Sequence, residues 1–102
     1  MKQPLFENED AKLKWVDIGH EHFISFTTYK DDPRSSLRVR HRSPDGSPCE
    51  GFITFEGSAW AKEFHKPVVW QVQNFEPFTC SPSLLCGCGD HGFIRAGKWI
   101  PA

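Results

Sequence analysis

The stretch Leu37-Arg38-Val39-Arg40-His41-Arg42, followed by Ser43-Pro44-Asp45-Gly46-Ser47-Pro48 and Cys49, decides the fold. Its first six residues alternate strictly, with Leu37, Val39 and His41 on one side and Arg38, Arg40 and Arg42 on the other. A period of two is that of a strand, in which successive side chains point to opposite faces. The segment rich in Pro, Gly, Asp and Ser reverses the chain, and Gly51 to Glu56 runs back as a second strand. The pair reads as a hairpin with His41 on its inward face and Cys49 at its mouth.

Working outward, Leu13 to Gly19 and Phe23 to Tyr29 read as two strands joined by Gly19-His20-Glu21-His22, because β-branched and aromatic residues favour strands. Lys30 to Ser36, with Asp31-Asp32-Pro33, reads as a loop. Ser58 is placed to cap a short helix over Ala59 to His65, with Trp60 and Phe64 on its buried face, ended by Pro67. Val68 to Val72 reads as a strand and 76–83 as irregular. Gly92 to Arg95, Ala96-Gly97 and Lys98 to Ile100 read as a last tight hairpin. The expected class is mostly β (α+β), a small antiparallel sheet or β-hairpin assembly with one short helix and a zinc site, in one domain over 1–102.

The chain has 102 residues, twelve Lys plus Arg and thirteen Asp plus Glu, giving a net charge of −1. Near-neutrality disfavours bulk attraction to nucleic acid or anionic membrane, which call for a basic excess. No apolar run approaches the roughly 20 residues that span a bilayer. The segment Met1 to Asp10 is polar and acidic after one Phe, unlike a secretory signal, so a cytoplasmic location is expected. In such a compartment four cysteines point to thiols or metal ligands rather than disulfides.

Cys80, Cys86 and Cys88 fall within nine residues, and Cys49 lies upstream. The informative run is Cys86-Gly-Cys88-Gly-Asp-His91-Gly. Zinc takes thiolate and imidazole ligands in a tetrahedron, and the interleaved glycines let the backbone fold closely around an ion. Cys86, Cys88 and His91 are the candidate ligands. Cys49 is the first candidate for the fourth, His41 the second and Cys80 the third, although Cys80 alone reads better as a buried small hydrophobe. If His41 and Cys49 both coordinate, one of Cys86 and Cys88 is spare. His20, His22 and His65 read as surface histidines, and Trp60, Trp70 and Trp99 as core.

The run Pro77-Phe-Thr-Cys-Ser-Pro-Ser-Leu-Leu-Cys86, the tail Cys88-Gly-Asp-His91-Gly-Phe-Ile-Arg95-x-Gly97-Lys-Trp99 and the segment Pro44-Asp-Gly-Ser-Pro-Cys49-Glu-Gly-Phe resemble a group of small uncharacterised proteins of bacteriophages and bacteria. The resemblance covers roughly the last two-thirds of the chain. It implies a phage or bacterial origin and a zinc-binding role for Cys88 and His91, and no known activity. Some members carry the label "ammonia monooxygenase", the chemistry of a large membrane-bound copper enzyme that a chain without a membrane segment does not match. Related tails more often show Cys-x-x-Cys before Gly-Asp-His, and the Cys-x-Cys spacing here leaves the part of Cys86 open.

The leading functional expectation is a zinc-stabilised, non-enzymatic binding module, an accessory protein that engages a host or phage protein. The alternative is nucleic-acid binding through Arg38, Arg40 and Arg42, whose common face could follow a phosphate backbone. A small metal-dependent hydrolase using Asp90-His91 beside the cysteines ranks last, because no separate base stands out.

Overall fold

The computed structural model describes residues 3–7 and 12–102. Of the acidic N-terminal segment read above, positions 1, 2 and 8–10 lie outside the described residues. The first four strands, β1 (Val16–Gly19), β2 (His22–Tyr29), β3 (Asp32–Arg42) and β4 (Pro48–Thr54), form an antiparallel meander in sequence order. A helix, α1 (Ala59–Phe64), leads to a two-stranded sheet of β5 (Gln71–Phe75) and β6 (Phe78–Ser81). The chain ends in a three-stranded sheet of β7 (Leu84–Leu85), β8 (His91–Arg95) and β9 (Lys98–Pro101). Among the described residues, the mostly β architecture with one short helix is as expected.

The alternation of β3 is realised residue by residue. Leu37, Val39 and His41 are buried, while Arg38, Arg40 and Arg42 are half-buried on the opposite face. Leu37 and Val39 join Ile24, Ile53, Phe55, Phe78, Leu84, Ile94 and Trp99 in one core that ties the three sheets together. Cys80 belongs to this core at 2% exposure, and burial pushes its thiol up to about 12. It packs as a small hydrophobe.

Several boundaries differ from the sequence reading. The expected loop from Lys30 to Ser36 is a two-residue turn, because β3 begins at Asp32, opposite Tyr29. Pro33 cannot donate to a ladder, and the register shift between Thr27 and Tyr29 absorbs it as a bulge. The first strand starts at Val16 rather than Leu13. Val68 is exposed and precedes the strand; the sheet pairing starts at Gln71, while Trp70 makes an isolated parallel bridge to Phe55. Within the segment read as irregular, Phe78–Ser81 pairs with β5.

The helix is held at its start by three oxygens. Ala59 N–H donates to Asp32 Oδ2 (3.1 Å), Trp60 N–H to Ser35 Oγ (2.8 Å) and Ala61 N–H to the N-cap Ser58 Oγ (3.2 Å). These bonds fill orphan amide donors of the first turn and dock the helix on β3. Trp60 and Phe64 do share a face, with ring centroids 4.7 Å apart, and Tyr29 packs there too. That face is not buried, since Phe64 is 49% exposed. Six residues are too few to cover both rings.

Candidate metal centre

Two of the candidate ligands are brought together by strand register. His41 pairs directly with Cys49 across β3 and β4, and paired residues in an antiparallel ladder project to the same face. Neighbouring register puts Arg40 opposite Glu50 on the other face. The turn between them is tied by Asp45, whose Oδ1 accepts from Ser47 N–H at 2.9 Å and from the hydroxyls of Ser43 and Ser47. These bonds, the Ser43 hydroxyl first, hold its carboxyl down at about 2.

The other two sulfurs come from the turn joining β7 to β8. Cys86 N–H donates to Asp90 O at 2.8 Å and Gly89 N–H to Cys86 O at 2.9 Å, which curls the segment on itself. Gly89 sits at φ +97°, a backbone conformation that side-chain-bearing residues rarely adopt. The curl turns Cys86 and Cys88 toward β3 and β4. Cys49 Sγ lies 3.5 Å from Cys86 Sγ, and His41 Nε2 lies 3.4 Å from Cys88 Sγ. The donor atoms of His41, Cys49, Cys86 and Cys88 all fall within 4.8 Å of one another. Four soft donors converging in this way could hold one metal ion. No sulfur of the three is spare.

His91, expected as a ligand, is not in this group. It pairs with Leu85 across β7 and β8 and so takes the face of Leu85, which is 70% exposed. Its Nε2 lies 2.9 Å from Ser83 Oγ. The partners one step along, Leu84 and Gly92, face the core. The strand period therefore decides against His91, and His41 takes the place expected for it.

The balance of burial and mutual hydrogen bonding pushes the Cys49 and Cys86 thiols in opposite directions. Burial, then hydrogen bonding to the Cys86 and Cys88 thiols and their charge, pushes Cys49 up to about 12. For Cys86, burial also pushes upward, but the backbone amide of Cys88 and the neighbouring thiols outweigh it and lower the thiol below its ordinary value. His41 is 2% exposed, and burial, reinforced by the nearby His22, lowers it against the opposing pull of Asp90. A neutral imidazole is the form that binds a metal.

As the pH falls through the ordinary imidazole pKa of about 6.5, an unfolded His41 takes up a proton that the folded, metal-free chain resists. The unfolded state then binds more protons, and stability falls as the pH drops through that window. Urea midpoints of chelator-stripped protein should decline between pH 7.5 and 5.5, and His41→Gln should flatten the decline. Equal slopes in both proteins would contradict the assignment.

His22, read as a surface residue, is buried. The β1–β2 turn uses only His20 and Glu21, both at positive φ, so His22 is the first inward residue of β2. Its Nδ1 lies 2.6 Å from His20 O and its Nε2 2.7 Å from Asp90 Oδ2. The ring stacks on Trp99 at 4.0 Å and against His41 at 5.3 Å. Asp90 Oδ2 lies 3.8 Å from His41 Nε2, so His22 and Asp90 form a supporting layer behind the donors. The only sequence signal for it was the aspartate next to the cysteines.

Arg38, Arg40 and Arg42 do share one face, but acids and backbone occupy them. Arg38 and Arg40 both meet Glu50 (3.2 and 2.7 Å), and Arg42 meets Glu21 at 2.9 Å. Arg40 and Arg42 also donate to the carbonyls of Leu5 (2.7 Å) and Gln3 (2.6 Å). Arg40 lies over Phe6 and Trp15. The arginine face thus seats the N-terminal segment. Among the described residues no helix is long and apolar enough to cross a membrane. No family model, curated protein or solved structure matches the chain.

Proposed function

We propose that the chain is a zinc-stabilised binding module, a phage or bacterial accessory protein that acts by protein–protein contact. The observation carrying it is the convergence of His41 Nε2 with the sulfurs of Cys49, Cys86 and Cys88. A tetrahedral zinc site with bonds of about 2.0–2.3 Å has donor–donor edges of roughly 3.5–3.8 Å. The spacings of 3.5 and 3.4 Å approach those edges, and three thiolates with one imidazole are a donor set that zinc favours. Bound there, the ion would cross-link the β3–β4 hairpin to the β7–β8 turn, and with four protein donors the tetrahedron is filled. That supports a structural rather than a hydrolytic role. Beside the donors a shallow cleft is flanked by the exposed Phe52 and Leu85, apolar surface that suits a protein partner better than a charged polymer. The tail's resemblance to the phage and bacterial group supports the origin.

Elemental analysis and native mass spectrometry of protein purified without a chelator or metal-affinity tag should find one zinc per chain. Cys88→Ser should carry none, while Cys80→Ser should keep it. A metal-free wild type, or equal retention in both variants, would remove the reading.

A further inference from the structure

We propose that Cys49 and Cys86 form an oxidative modification site: peroxide converts them to a disulfide, which expels the metal and leaves the fold in place. The inference rests on the metal-binding reading above and adds a chemistry to the same residues. Their Sγ atoms are 3.5 Å apart, and a disulfide needs about 2.05 Å, so the two sulfurs have to approach by about 1.5 Å. Both thiols are half-buried rather than sealed, within reach of a reagent as small as hydrogen peroxide.

The neighbouring thiols are less suited. Cys86 and Cys88 are separated by one residue, and a bridge between them would close a tight ring far from relaxed disulfide geometry. Cys88 Sγ packs against His41 Nε2. Cys80 lies alone in the core. Cys49 and Cys86 are 37 residues apart in sequence and belong to the two segments that a metal would cross-link. A disulfide between them holds the same segments together, so the covalent bond replaces the coordination bonds.

One thiolate of the pair attacks a peroxide oxygen and displaces hydroxide, becoming a sulfenic acid. The second thiolate attacks that sulfur and displaces a second hydroxide, forming the S–S bond. Two thiolates lose two electrons, and hydrogen peroxide gains them as its O–O bond breaks. The metal, left with two of four protein ligands, dissociates.

The test uses the full chain loaded with zinc, its metal content measured first. Hydrogen peroxide should release one zinc per chain to a chromogenic chelator. The mass of the denatured, metal-free polypeptide should fall by two hydrogens relative to the reduced chain, non-reducing peptide maps should show Cys49 joined to Cys86, and the far-ultraviolet circular dichroism should be unchanged. Dithiothreitol with added zinc should reverse all of these changes, and Cys80→Ser should behave as the wild type. Retention of zinc, release with any other cysteine pairing, release with sulfinic acids and no bridge, or loss of structure on release would each overturn the proposal. A chain that takes up no zinc before peroxide is added would overturn the metal reading and this proposal with it.

Discussion

Replacing His41 with Ala should abolish metal binding and lower stability by several kcal/mol, whereas His91→Ala should do neither. His41 is one of four converging donors and is fully enclosed. Metal binding free energy becomes folding free energy where the unfolded chain has no preformed site, with apparent values of roughly 10–16 kcal/mol in zinc-finger peptides. Here the hydrophobic core formed among the described residues carries part of the fold, so the loss should be a fraction of that range. The substitution also leaves a cavity between His22 and Cys88. The His91 ring touches the Ser83 hydroxyl and stacks loosely on Phe93 on an exposed face, and such surface substitutions usually stay within about 0.5 kcal/mol. Metal content and urea midpoints of the two variants decide between the donor sets. Loss of metal in His91→Ala with retention in His41→Ala would reinstate the set read from the sequence.

Gly92→Ala should be the most damaging of the single-methyl additions. A Cβ there would lie 2.5 Å from Trp99 Cζ2, 2.6 Å from Cε2 and 2.8 Å from the backbone oxygen of Ile100. The indole cannot retreat easily, because it is 4% exposed and stacked 4.0 Å from His22, and the carbonyl belongs to the paired strand. Overpacking of this kind costs about 1–3 kcal/mol, which in a domain near this size lowers Tm by roughly 4–8 °C per kcal/mol. Gly51→Ala is the control, since no atom outside its chain neighbours lies within 4 Å of its Cβ. Thermal melts should separate the two clearly, with a changed tryptophan emission in Gly92→Ala. Equal melting temperatures would mean that the β8–β9 hairpin does not hold Trp99 against the glycine.

Gly92 also shows how the site is supported from behind. Trp99 stacks on His22, His22 bonds to Asp90, and Asp90 lies on the turn that presents Cys86 and Cys88. Groups behind the donors fix donor orientation in metal sites. Strain at Gly92 should therefore weaken metal affinity as well as the fold.

Local pattern alone determined the β class, the β3–β4 hairpin, the cap at Ser58 and the last hairpin. Each is written in contiguous residues: a period of two over 37–42, a turn-rich 43–48, a capping hydroxyl, and Ala96-Gly97 between apolar strands. The membership of Cys49, Cys86 and Cys88 in one cluster was also legible, because Cys86 and Cys88 share a glycine-rich turn and Cys49 stands at the mouth of the β3–β4 hairpin. Only the tertiary structure decided which histidine completes the group. Sequence proximity favoured His91, three residues from Cys88. Pairing with Leu85 turned it outward, while pairing of His41 with Cys49 turned His41 toward the sulfurs. The buried place of His22 and the use of the arginines to seat residues 3–7 were equally hidden, because both depend on segments far apart in the chain. A strand's period says which residues share a face; which face meets the core, and what lies across it, is settled only when the strands pair.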